Sequence, residues 1–179
     1  MKKVALIILS LYLVSIFPTQ VFAQEVKIGY VDTVKLFSEY KETVQAEETY
    51  KKEVDAWKKK ASEMESELAQ LRDEIQSQSL MLSEDKLAEK KLIFEKKLKE
   101  YKQYMDDIFG DNGQAAKRNK ELTQPIVEKI NAVIAKIAEE EGYTIILDSG
   151  QGNILFAKKE LDLTDKVLER LQSQFESNK

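Results

Sequence analysis

The sequence predicts an α+β fold: a small β-sheet body carrying a long antiparallel helical hairpin that projects as a coiled-coil arm. Three observations predict it. From Val54 to Ile75 the apolar residues Val54, Trp57, Ala61, Met64, Leu68, Leu71 and Ile75 recur in steps of three and four, the spacing of a helix with one narrow sticky stripe. The same alternation resumes after a single turn, through Leu87, Lys91, Phe94, Leu98, Tyr101, Met105, Ile108, Asn112, Ala115, Asn119, Leu122 and Ile126. Short strand-like segments flank this rod, "KIGYVD" before it and "YTIILDSG" and "NILFAKK" after it.

Taken in order, the chain starts with Lys2 and Lys3, an apolar run from Val4 to Phe17, then Pro18 and small Ala23. As a helix that run would span about 21 Å, short of the ~30 Å hydrocarbon core. A charged start, short apolar stretch and small-residue site predict a signal peptide over 1–23, cleaved after Ala23, and hence export. Its loss removes two lysines and no acid, taking the net charge from −4 to −6.

Val26, Ile28 and Tyr30 alternate with Lys27 and Gly29 as a strand does. Asp32 can cap the helix that follows, which is expected to run to about Gln78. "QSQSLMLSED" is the turn, and Ser83 can cap the second helix, with Glu84 and Asp85 in its first turn. Two long helices joined by one short turn fold back antiparallel. The expected register sets Ile75 against Leu87, Leu68 against Phe94, Met64 against Leu98, Ala61 against Tyr101, Trp57 against Met105 and Val54 against Ile108. In the same register Lys91 faces Leu71 and Asn112 faces Tyr50, so the seam is weaker there.

Gly110 and Gly113 flank Asn112, and each costs about 1 kcal/mol relative to Ala inside a helix. A loop that breaks the helix here is one reading; because the heptad keeps its phase across them, the preferred expectation is a helix that bends, with Gly110 and Gly113 as hinge candidates. Pro125 is a third, since it lacks an N–H and clashes with the carbonyl of Glu121. A kink there would mark where the rod joins the body. Gly142 then supplies a left-handed stop. Two strands joined by a Gly150-Gln151-Gly152 turn follow, and a capped helix with the stripe Leu163, Val167, Leu171 and Phe175 ends the chain. The expected domains are a body of 24–40 and 121–179 and an arm of 41–120. Three short strands bury little area and leave open edges, which predicts association of several copies.

The chain has no Cys and no His, which excludes disulfides, Cys–His or Ser–His nucleophile pairs and nitrogen- or sulfur-rich zinc sites. No EF-hand spacing appears, so neither a metal nor a cofactor site is expected. Asp32 and Asp148 near strand ends could pair as carboxylates, but a cap and a turn explain them more simply, and no enzyme is expected. An acidic, exported chain lacks the basic face that nucleic acid requires.

Signal peptide, "KIGYVD", charged helical hairpin, "ELTQPIVEKINAVIAKIAEEEGYTIILD" and "DLTDKVLERL" occur in that order. The pattern resembles the Skp/OmpH family of periplasmic holdase chaperones over nearly all of the mature chain. The resemblance implies a homotrimer joined through its strands, with three arms around a cavity that holds unfolded outer-membrane β-barrel proteins. It implies a periplasmic location, transient contact with the membrane surface and no use of ATP, and no Gly-rich phosphate loop is present. The chain departs from the family in charge: residues 41–120 carry 17 basic and 18 acidic side chains, so capture by positive arms is not carried over. Nor is a lipopolysaccharide site, for want of a matching Arg cluster. Apolar residues outside the seam are the client-contact candidates: Leu80, Met81, Leu82, Leu92 and Phe109. Met81 leads because Met adapts to many partners, although Leu80 to Leu82 could instead pack the turn. The alternative function is a structural coiled-coil protein of the cell envelope, which would be marked by an anchor.

Overall fold

The computed structural model describes residues 26–177, so the predicted leader lies outside the described residues. The elements run β1 (Ile28–Val31), α1 (Thr33–Glu39), α2 (Lys41–Gln78), α3 (Glu84–Phe109), α4 (Gln114–Glu141), β2 (Ile145–Asp148), a 3₁₀ turn (Lys159–Leu161) and α5 (Thr164–Ser177). This is the α+β architecture expected, a two-stranded sheet and helix ends at one pole and a long hairpin at the other.

β1 and β2 pair in parallel, Ile28 beside Ile145 through to Val31 beside Asp148. The crossover between them is the entire arm. The joint from β1 to α1 is tied by short polar residues. Asp32 caps α1, accepting from the Lys35 N–H at 2.9 Å, and its own N–H donates to Thr164 Oγ1 at 2.9 Å. Asp148 accepts from the Thr33 N–H and hydroxyl and from the Gly150 N–H. Gly142 ends α4 at φ 71°, ψ 32°, and both its N–H and that of Tyr143 return to the carbonyl of Ala138. A left-handed residue there is sterically cheap only for glycine.

The core lies where α4 crosses α1 and α5. Ile126, Ile130, Val133 and Ile137, in steps of four, three and four, bury one face of α4. Val31, Leu36, Tyr40, Leu163, Val167 and Leu171 complete the cluster, with Phe175 packed against it. The stripe expected for the last helix is therefore the one that is buried.

Four expectations about the body and its helices are corrected. The second C-terminal strand does not form: among the described residues nothing from Ser149 to Lys158 pairs as a strand. The turn closes early, Gly152 N–H to Ser149 O at 3.1 Å, and Gly150 lies where a Cβ would be 2.9 Å from the Val34 nitrogen. The chain thus packs on the start of α1 instead of returning along β2. The first helix is not continuous from Asp32. Tyr40 is extended at φ −70°, ψ 124°, its ring buried edge-on to Phe175 with centroids 6.1 Å apart. Ser83 stands at the start of α3 as expected, but its side chain makes no capping bond. Pro125 does not interrupt α4, which runs through it.

The arm is built largely as predicted. Every residue of the Val54–Ile75 stripe is at least half-buried, Leu68 the most so, and α3 packs antiparallel along α2. Lys91 is an exception to the expected seam: it is exposed, and its neighbour Lys90 is half-buried and pairs with Glu74 at 2.7 Å.

The larger correction is at 110–113. The helix is broken there. α3 ends on Gly110 (φ −63°, ψ 169°), a turn closes from Gly113 N–H to Gly110 O at 2.8 Å, and α4 starts after Gly113 (φ −68°, ψ 174°). Neither glycine has a positive φ, so neither is required for its backbone angles. The requirement is room, since a Cβ on Gly110 would lie 2.5 Å from the Asp106 carbonyl oxygen and one on Gly113 2.6 Å from that of Ile108.

Candidate client-binding arm

The register of the arm is fixed by bonds across it. Outside the break, Lys90 pairs with Glu74 and Lys97 with Glu67, seven residues apart on both helices. The Tyr104 hydroxyl donates to the Trp57 carbonyl at 3.2 Å. These bonds bracket the register expected from the sequence. Inside the break, Arg118 pairs with Glu53 and Lys129 with Glu42, eleven apart on both. Between the two sets, Glu67 to Glu53 is 14 residues but Lys97 to Arg118 is 21. The returning chain therefore stores seven extra residues, one whole heptad, at the joint. Tyr50 accordingly lies with Asn119 and Leu122 and not with Asn112, which is exposed.

Arg118 makes the most hydrogen bonds of the cross-arm ties. Its guanidinium donates through both Nε and Nη2 to Glu53 at 2.8 to 3.2 Å and through Nη1 to Glu121 at 3.2 Å. The planar fork of Arg suits such bidentate pairing. At the wrist, Glu42 accepts from Lys129 at 2.6 Å and from the Tyr40 hydroxyl at 2.7 Å. Burial pushes the Glu42 carboxyl up, but the Lys129 and Tyr40 bonds and the charge of Lys129 outweigh it and the net shift is downward. Burial and the Glu42 carboxylate push the Tyr40 phenol well above its usual range.

The client-contact candidates divide. Leu80 (97% exposed) and Met81 (87%) stand free at the tip, and Leu92 (68%) stands free on α3. Leu82 and Phe109 are half-buried. At the base of the arm a groove of about 430 Å³ is lined by Val34, Phe37, Val127 and Ile130. Sequence periodicity did not single it out, because Val34 and Val127 fall outside both stripes. The same is true of Leu155 (99%) and Phe156 (85%), which were expected inside a strand. Gly110 and Gly113 bound the joint; Pro125 sits one residue before buried Ile126.

The two carboxylates near the strand ends are engaged locally. The Asp32 and Asp148 carboxylates are occupied by backbone N–H groups and the Thr33 hydroxyl. Burial pushes Asp148 up, and the bonds from Gly150 and Thr33 outweigh it and hold it below the usual carboxylate range. Among the described residues no cluster of His, Cys, Asp or Glu could hold a metal ion, and no helix is long and apolar enough to cross a membrane.

Residues 27–171 match the family described as Outer membrane protein (OmpH-like). The chain belongs to that family. This OmpH-like chain is 25% identical over 149 residues to the chaperone protein Skp of Vibrio cholerae serotype O1, covering 82% of this chain and 83% of that one. Its fold matches a Caulobacter crescentus CB15 crystal structure described as an OmpH-like outer membrane chaperone, with a TM-score of 0.73 at 10% identity, covering 83% of this chain and 85% of that one. The identity at that level speaks for the fold of the OmpH-like chain and not for individual residues.

Proposed function

We propose that this protein is an ATP-independent holdase chaperone of the periplasm. It binds unfolded outer-membrane β-barrel proteins and keeps them from aggregating on their way to the outer membrane. The observation that carries the reading is an arm whose far end exposes Leu80, Met81 and Leu92, away from the apolar core gathered in the body. Apolar groups on a long, mixed-charge rod give weak, adaptable and multivalent contacts, which suit a client without fixed structure. The relatives named as chaperones and the predicted signal peptide support the same reading.

The working form is a homotrimer, with the body (24–40 and 121–179) as its association unit and the arm (41–120) as its holding unit. Leu155, Phe156, Ile28, Ile145 and Leu147 are exposed around a sheet of only two strands. Covering that surface with other copies would relieve both the exposed area and the open edges. Gly110, Gly113 and Pro125 are the points where the arm would flex, and contact with the membrane surface would be transient.

The test is light scattering of a denatured outer-membrane β-barrel diluted into buffer with the mature protein and no nucleotide. Suppression of scattering is expected at about one trimer per client. Replacing Leu80, Met81 and Leu92 together by Ser should weaken suppression with helicity unchanged. Scattering equal to that of the client alone would overturn the reading.

A further inference from the structure

The joint at Gly110–Gly113 stores seven residues, and seven is the period of the seam on both sides of it. We propose that the arm has two registers one heptad apart, and that this joint holds the difference in one and releases it in the other. The inference stands on the arm alone and does not depend on the chaperone reading.

In the second register the returning helix runs unbroken through 110–113 and α3 has slid outward along α2 by seven residues, about 10 Å. A shift of one heptad returns every stripe residue to a stripe position. Leu71 then meets Leu98, Ile75 meets Phe94, Leu68 meets Tyr101, Met64 meets Met105 and Ala61 meets Ile108. Lys91, exposed and unable to serve the seam now, faces Gln78. Lys97 exchanges Glu67 for Glu74. The losses are the Lys90–Glu74 pair and an Asn112 placed against Trp57. Each register thus gives one stripe position to a polar residue: Lys91, which turns out to solvent, in the first, and Asn112 opposite Trp57 in the second.

The turn at the tip moves by half the slide. α2 lengthens through Leu82, which comes to face Leu87, and the arm gains about 5 Å of reach. The slide therefore rebuilds the tip, carrying the half-buried Leu82 into the seam. The glycines set the balance. They permit the tight turn that stores the heptad, where a Cβ would strike the Asp106 or Ile108 carbonyl, and they disfavour the continuous helix.

Cysteine pairs test it, since the chain has none of its own. Ala61→Cys with Tyr101→Cys reports the first register, and Leu68→Cys with Tyr101→Cys the second. With the native joint, oxidation should join 61 to 101 in most molecules and 68 to 101 in a slower, minor fraction. Gly110→Ala with Gly113→Ala should reverse the preference at unchanged or higher helicity. Asn112→Leu leaves the glycines alone and removes the one mismatch of the second register, so it should raise the 68–101 fraction several-fold. Pairing of 61 with 101 alone in both backgrounds would overturn the proposal. So would a double-Ala protein that loses helicity while Asn112→Leu leaves the 68–101 fraction unchanged.

Discussion

Tyr40 divides what the sequence presents as one helix, and its surroundings explain why. Its ring fills the space beside Phe175 and its hydroxyl reaches Glu42, which in turn holds Lys129 across the wrist. Glu42→Gln should lower the melting temperature by roughly 2–4 °C, the equivalent of about 1 kcal/mol for a half-exposed ion pair in a chain of this size. Glu42 has its carboxyl lowered in the folded state, so its contribution is present above the ordinary glutamate range and is lost as pH falls through the lowered value. Melts of the two proteins should therefore differ at pH 7 and converge in acid; a gap that persists in strong acid would show that Glu42 acts by packing. At this scale the sequence was readable where chemistry is local. Asp32 caps its helix, Gly142 adopts φ 71° and Leu80 and Met81 stand exposed. Tyr40 was not readable, because nothing adjacent to it in sequence shows that Phe175 and Lys129 will meet it.

The arm shows how a periodic pattern can be right and incomplete. Its two stripes were legible from spacing alone, and the outer register with them. The break stood only as the second reading because the excess is one full heptad, which leaves the phase of the stripe untouched on either side. The glycines carried the signal, but as weak helix formers they fit a bent helix as well as a looped turn and could not decide between them. Leu68 is the most buried residue of α2 along the outer seam. Leu68→Ala should cost about 2–3 kcal/mol and melt the outer arm early, seen as a first, partial loss of helical ellipticity before the body unfolds. A single unshifted transition would mean that arm and body do not melt separately. The buried cluster of the body contains none of residues 64–98. Deleting that segment, whose ends face each other in the observed register, should leave a folded and self-associating body.

For the whole molecule, the strand that failed to form marks the limit of reading a single chain. "NILFAKK" has the composition of a strand, yet its Leu155 and Phe156 are exposed. Propensity registers that a segment would suit a sheet and is silent on which chain supplies the partner. Leu155→Ser with Phe156→Ser should convert the proposed trimer to monomers in sedimentation while the far-ultraviolet spectrum is retained. Persistence of the trimer would place the association surface elsewhere. Charge acts at this scale too. An arm with 17 basic and 18 acidic side chains should hold clients nearly as well at 500 mM salt as at 50 mM, and a steep loss with salt would restore electrostatic capture.

The parallel pairing of β1 and β2 also fixes an order of events. Val31 and Ser149, joined by two hydrogen bonds, are 118 positions apart. An open chain of that length closes at a high entropic cost, and such distant contacts form slowly. The hairpin removes most of that distance by zipping from its own turn inward, where every new contact is only slightly farther along the chain than the last. The body can then close over a span shortened to the wrist. On this account the arm would serve as the folding scaffold of the domain it projects from. Leu68→Ala should slow the recovery of buried Tyr40 in refolding by several-fold, and an equally long in-register arm locked at 61 and 101 by a disulfide should speed it.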